Sequence, residues 1–206
     1  MFTGIIDGIA KIISIKNKNN YLTYTIQVPK HLLVNLVIGA SISNNGCCLS
    51  VTSIFKDLIS FDIISETLRC TNLGMLKLGD YINIERSKKF SDEIGGHILS
   101  GHISTVSKCI KIIKFSGNSQ LMYYQLCDNF FMKYIFYKGF ISINGISLTI
   151  TEVSEDYFSV HLIPDTMLKT NMKNVTNGDV VNIEIDYFTQ VIVDTTEKFI
   201  NLCKLN

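Results

Sequence analysis

The segment Asn45-Gly46-Cys47-Cys48-Leu49-Ser50-Val51-Thr52 is written a second time, 99 residues later, as Asn144-Gly145-Ile146-Ser147-Leu148-Thr149-Ile150-Thr151. Four of the eight positions are identical, and exchanging Ser for Thr or Val for Ile preserves shape. The same offset returns Glu66-Thr67-Leu68 and Thr71-Asn72-Leu73 as Asp165-Thr166-Met167 and Thr170-Asn171-Met172. It also returns Gly79-Asp80 and Asn83-Ile84-Glu85 as Gly178-Asp179 and Asn182-Ile183-Glu184. Near the start, Phe2-Thr3-Gly4 matches Leu99-Ser100-Gly101 at an offset of 97. Three motifs at one offset and in one order mark an internal duplication, so the chain folds as two similar units.

Each unit reads as short strands. Residues 21–28, 58–64, 81–85, 141–150, 157–163 and 180–185 are rich in β-branched and aromatic side chains, several alternating with polar ones. Asn45-Gly46, Asn144-Gly145, Gly79-Asp80 and Gly178-Asp179 punctuate them as tight turns. Short antiparallel strands at this spacing suit a small closed barrel in each half, because closure removes exposed edges. Residues 67–74 and their copy 166–173 read as a short helix with Thr67 or Thr166 near its start. From Thr189 to Leu205 the apolar residues Ile192, Val193, Phe199, Ile200 and Cys203 fall at helical spacing. The expected units are therefore 1–97, 98–187 and a tail, 188–206. The tail belongs to neither repeat; it either associates with other copies or docks back on its own barrel.

A net charge of +1 argues against a nucleic-acid binder that neutralises phosphates. No apolar run approaches the roughly 20 residues that span a bilayer. The start, with Asp7 and no basic region, does not read as a secretory signal. Six cysteines (47, 48, 70, 109, 127, 203) without a CxxC pair read as free thiols in a reducing cytosol. His97 and His102, five apart, point to opposite faces of a strand, so a metal site is not expected. His31, beside a proline in a polar stretch, reads as exposed. Dinucleotide, P-loop, zincin and nucleophile-elbow patterns are absent. Cys47 and Cys48 are strand neighbours facing opposite sides, so at most one points into a given pocket; both could also be small buried hydrophobes. Ser147 occupies the slot of Cys48 in the second unit, and Asp186 that of Ser87. Two related pockets specialised apart are the expectation.

The start MFTGII, the block NGCCLSVT, ETLRCTNLG, ERSKKFSDEIGGHILSGHI, YKGFISINGISLTITEV and VNIEID together resemble the riboflavin synthases of the alpha-chain type. The resemblance covers essentially the whole chain. It implies an all-β fold of two tandem six-stranded Greek-key barrels plus a C-terminal helix, and dismutation of two 6,7-dimethyl-8-ribityllumazine molecules without cofactor or metal. It further implies a homotrimer joined through the tail helices, with a working site pairing barrels of neighbouring subunits. An association with lumazine synthase is a further expectation, with neither nucleic acid nor membrane as partner.

Carried over position by position, the family's ligand contacts fall on Gly4, Ile5, Ile6, Cys48, Leu49, Ser50, Asp62, Ile63, Ile64, Ser65, Glu66 and Thr67, expected in the first-barrel site. The second-barrel set is Gly101, His102, Ile103, Ile146, Ser147, Leu148, His161, Leu162, Ile163, Pro164, Asp165 and Thr166, with Lys138 reaching in from another subunit. Phe2, Ser41, Cys48, His102, Ser147, Thr149 and Asp186 match positions associated with activity. The resemblance suggests His102 and Thr149 near the proton transfer, Ser41 or Cys48 as nucleophile or hydrogen-bonding group, and Asp186 as a polar partner. Ser50 stands where relatives often carry Thr, which keeps the hydroxyl. The other readings are a lumazine- or flavin-carrying antenna protein of the same fold and a flavin-reductase-like barrel; the latter needs a dinucleotide-binding domain for which the chain has no room.

Overall fold

Asn45 and Gly46 both take left-handed backbone angles (φ 46° and 85°), as do Asn144 and Gly145 (φ 46° and 81°). Two successive residues of this kind make the turn whose twist matches a two-strand hairpin, which is why Asn-Gly stands at both places. The computed structural model describes residues 1–19, 21–89 and 91–204. The first hairpin joins β3 (Ser41–Asn44) to β4 (Cys47–Phe55). With β1 (Gly8–Asn17), β2 (Tyr21–Gln27), β5 (Leu58–Ile64) and β6 (Tyr81–Arg86) it closes an antiparallel barrel in the order β1-β2-β5-β4-β3-β6.

The second unit repeats this plan with β7 (Thr105–Lys114), β8 (Gln120–Leu126), β9 (Phe140–Ile143), β10 (Ile146–Val153), β11 (Tyr157–Leu162) and β12 (Val180–Ile185). The stretch 141–150, read as one strand, is divided by its own Asn144-Gly145 turn. Even the irregularities are copied. Register shifts between Ile12 and Ser14 and between Val51 and Ser53 return between Cys109 and Lys111 and between Ile150 and Glu152. Such bulges add local twist, which a small barrel needs to close. Alternate residues of every strand point inward. Ile12, Ile26, Ile42, Phe61 and Ile84 fill the first barrel, and Tyr124, Ile141, Phe158, Val160 and Ile183 the second.

Between strands, α1 (Ser65–Cys70) and α2 (Pro164–Lys169) begin two residues earlier than the Thr67 and Thr166 starts expected. Both stop where an extended threonine interrupts them. Thr71 Oγ1 donates to the Thr67 carbonyl (2.6 Å) and accepts from Leu73 N–H, and Thr170 does the same one repeat later. The hydroxyl thus caps the following turn and breaks the helix. The tail is α3 (Tyr187–Cys203), capped by Asp186, whose carboxylate accepts from Thr189 N–H at 2.9 Å and Oγ1–H at 2.7 Å. Residues 205 and 206, which the expected tail includes, lie outside the described residues.

The barrels meet across a pseudo-two-fold axis through a seam of six buried asparagines. Asn83 Nδ2 donates to the Asn144 carbonyl (2.9 Å) and Asn182 Nδ2 to the Asn45 carbonyl (2.8 Å). Asn182 Oδ1 accepts from Asn72 N–H (2.6 Å), and Asn83 Oδ1 accepts from Asn171 N–H (2.7 Å). Gly46 and Gly145 face each other here. A Cβ on either would stand 2.8 or 2.7 Å from the other's nitrogen.

Candidate active site

Two arms cross between the barrels. Residues 2–6 precede the first barrel, yet the Gly4 carbonyl accepts from Ser147 N–H in the second (2.9 Å), and Ile6 packs on the second barrel's core. Residues 99–103 lead into the second barrel, yet the Gly101 carbonyl accepts from Cys48 N–H in the first (2.8 Å), and Ile103 packs on the first barrel's core. The arms touch at the axis, where Phe2 and Leu99 exchange backbone hydrogen bonds at 2.9 and 3.0 Å. Glycine is required at both crossings. Gly4 and Gly101 have φ of 75° and 81°, and a Cβ would lie 2.5 Å from Ser147 Cβ or Cys48 Cβ respectively.

This corrects the expected division of contacts. Gly4, Ile5 and Ile6 do not join Cys48 in the first-barrel site; they line a cleft of about 640 Å³ with Ile146, Ser147, Asp165 and Thr166 of the second. Conversely, Gly101 and Ile103 go with Cys48, and His102 lies between them, exposed, with its N–H donated to Ser100 Oγ. The cause is through-space: each arm runs over the axis before its own barrel begins.

Cys48 and Ser147 do hold equivalent slots. Cys48 lies opposite Ser43 and Ser147 opposite Ser142, each on the outer face of its hairpin. Ser41 faces Ser50 two residues along that face, where the second barrel pairs Phe140 with Thr149. Thr149 is exposed and Ser41 half-buried. Phe2 is buried at the axis. Leu49, Ile63, Ile146, Leu148 and Leu162 belong to the barrel cores, so these expected contacts offer a ligand mainly main chain. Cys47 is buried beside Cys48, and burial pushes its thiol up to about 12, which keeps it protonated.

Elsewhere among the expected contacts, Asp62 accepts from Thr23 Oγ1 (2.7 Å), Glu66 pairs with Arg69 (2.6 Å) and Asp165 with Lys169 (2.9 Å). The Arg69 guanidinium holds the exposed Glu66 carboxyl down at about 2. His161 packs its ring against Phe115, and Ile64, Ile163, Ser65 and Pro164 are exposed at the starts of α1 and α2. Lys138 is exposed with φ 62° and donates its N–H to the Ile150 carbonyl; its counterpart, with the same bond to Val51, is Gly39. A lysine in this left-handed conformation costs about 1–2 kcal/mol that the glycine does not.

Two features were not legible as functional. His97, read only as a metal candidate, is buried against the second site. Its Nδ1 is 2.7 Å from Ser147 Oγ, and its ring stacks on Phe140 at 5.0 Å and 14°. Nε2 is buried without a partner among the described residues. The tautomer that leaves no buried N–H unpaired carries the proton on Nδ1. His97 then donates to Ser147 Oγ, and the serine hydroxyl proton is free to point into the cleft. Burial lowers the imidazole pKa and the Asp186 charge partly restores it, so the ring is neutral at pH 7. The second feature is a pair of buried carboxylates. Glu85 accepts from Thr3 N–H (2.7 Å), Thr3 Oγ1–H (2.8 Å) and Gly4 N–H (2.9 Å). Glu184 accepts from Ser100 N–H and Oγ–H (both 2.7 Å) and from Gly101 N–H (3.1 Å). Burial raises both carboxyls, and these donors oppose the rise. The sequence signal was the repeated Asn-Ile-Glu, a charge in a strand with apolar neighbours.

The family of lumazine binding domains matches this chain twice, over residues 3–87 and 100–186. The chain is 52% identical over 198 residues to the riboflavin synthase of Escherichia coli (strain K12), across 96% of this chain and 92% of that one. It is 50% identical over 200 residues to the riboflavin synthase of Buchnera aphidicola subsp. Schizaphis graminum (strain Sg), across 97% and 96%. Among solved structures, LumP complexed with riboflavin matches with a TM-score of 0.84 at 27% identity, covering 90% of this chain and 100% of that one. LumP complexed with 6,7-dimethyl-8-(1'-D-ribityl) lumazine matches at 0.82.

Proposed function

The chain belongs to the riboflavin synthase family, and from that premise we propose that it dismutates 6,7-dimethyl-8-ribityllumazine, one molecule held against each barrel. A four-carbon unit passes from one lumazine to the other, giving riboflavin and 5-amino-6-ribitylaminopyrimidinedione, which makes the enzyme a transferase. The reaction balances without an external oxidant, since the two products together contain the atoms of two substrates. The observation that carries this reading is the pair of equivalent slots with different chemistry. Ser41 and Cys48 stand on one barrel, Phe140, His97 and Ser147 on the other. Two identical substrates that must play different roles need two such sites.

The protein's work is orientation and proton handling. Holding two rings at near-attack distance makes the step effectively unimolecular, worth about 7–11 kcal/mol. Gly4 to Ile6 and Gly101 to Ile103 supply main chain close to each ligand. The Ser147 hydroxyl, set by His97, donates to a ring acceptor. His102 and Thr149 serve the proton transfer, and Ser41 or Cys48 acts as nucleophile or hydrogen-bonding group.

The two lumazine-binding units are 1–97 and 98–187, and the tail 188–206 joins three chains into a homotrimer in the cytoplasm. No residue of α3 is buried, and Tyr187, Phe188, Ile192, Phe199 and Leu202 are each more than half exposed, which favours association over docking back. In the trimer Lys138 of one subunit reaches a neighbour's site, and an association with lumazine synthase is part of the same reading. Mixing the purified chain with the lumazine, in buffer without cofactor, should give flavin absorbance and fluorescence. Tight binding without product would make it a carrier protein instead.

A further inference from the structure

The residues that hold the two arms do not belong to the sites that the arms complete. Glu85 lies on β6 of the first barrel and Glu184 on β12 of the second, 0% and 4% exposed. Each spends its carboxylate on three donors of one arm. The arm gripped by Glu85 delivers the Gly4 carbonyl to Ser147; the arm gripped by Glu184 delivers the Gly101 carbonyl to Cys48. A carboxylate accepting two main-chain N–H groups and a hydroxyl fixes a peptide's direction as well as its place. The arms are also held main chain to main chain, Phe2 against Leu99 and His97 N–H to the Thr3 carbonyl at 3.2 Å, and the carboxylates add the grip on the N–H of each crossing glycine.

We propose that Glu85 and Glu184 are crossed positioning residues: Glu85 sets the geometry of the second-barrel site and Glu184 that of the first. The two half-sites are thereby coupled through the body of one subunit, and each barrel's last strand controls the other's ligand. This rests on the lumazine sites proposed above, but the coupling can be read without turnover.

The test follows the backbone amide signals of Ser147 and Cys48 by NMR in the full-length protein, first free and then during titration with the lumazine. Glu85→Gln keeps one acceptor oxygen and sets an amide NH₂ against the N–H of either Thr3 or Gly4, which bond different oxygens of the carboxylate. It should shift the Ser147 signal and weaken lumazine binding reported there roughly tenfold, while Cys48 is unchanged. Glu184→Gln should do the reverse. Thr3→Val and Ser100→Ala remove one donor each and leave both carboxylates in place; they should give smaller effects in the same crossed pattern, and they carry the test should a glutamine variant not fold. If each glutamate altered the site on its own barrel, or both altered both sites alike, the proposal would be overturned. If the wild-type chain bound no lumazine, the proposed function would fall, and the shifts in the free protein would still decide the coupling.

Discussion

His97 shows how much a single buried side chain can set. Stacked on Phe140 and bonded to Ser147, it turns a serine that could donate or accept into a donor facing the cleft. His97→Ala should therefore lower lumazine turnover about tenfold, since one hydrogen bond of this kind is worth about 1 kcal/mol and its buried partner is left unpaired. His97→Asn, which keeps a donor where Nδ1 stands, should recover most of it in the same steady-state assay. The residue also predicts a pH effect. The unfolded imidazole titrates near 6.5 and the folded one lower, so below 6.5 the unfolded chain binds a proton that the folded chain refuses. This contribution to stability is whole above 6.5 and is lost as the pH falls through the folded value. Urea denaturation at pH 7.5 and 5.5 should show a larger loss for wild type than for His97→Asn; equal losses would contradict the assignment. Lys138 makes the opposite trade. Replacing it with the glycine of the other repeat should leave stability unchanged or raise it by up to about 1 kcal/mol, while turnover falls. Lys138 came from the resemblance alone, and the role of His97 was not visible in the sequence, because spacing places residues along a strand but not across the gap between an arm and a barrel.

At the scale of elements, the hairpins were legible and the tail only half so. Asn-Gly announces a left-handed turn by itself, and the bulges follow from closing a barrel with strands as short as Ser41–Asn44. The expected helices, 67–74 and 166–173, overrun the observed ends at Cys70 and Lys169 because Thr71 and Thr170 looked like helix residues and are caps of the next turn. The tail's apolar periodicity foretold α3 but not how loosely it sits. It touches its own barrel through Val193, packed on the second core, and through polar pairs, Lys133 with Glu197 at 2.6 Å and Tyr134 with Asp194 at 2.6 Å. Asp186, expected as a polar partner in the chemistry, caps this helix and places its charge near His97. Asp186→Ala should cost roughly 1 kcal/mol as a lost cap. A chain ending at Tyr187 should sediment as a monomer, and one that stayed trimeric would refute the tail's role in assembly.

At the scale of the molecule, the duplication dictated two barrels. How the two barrels meet could not be read from the repeat. Six asparagines at repeated positions could equally have been turn residues facing water; the fold turns all six into a buried polar seam. The offset of 97 relates the arms and the first strands alike, β1 to β7, and carries no information about which barrel an arm crosses to. In the proposed function, two copies of one small fold hold two copies of one substrate in different roles. The direct measurement is the ratio of substrate consumed to products formed by the purified chain, without added cofactor or reductant. Two lumazines lost for each riboflavin gained, with an equal amount of pyrimidinedione, is the predicted result; lumazine bound at both barrels without product, or converted one for one, would contradict it.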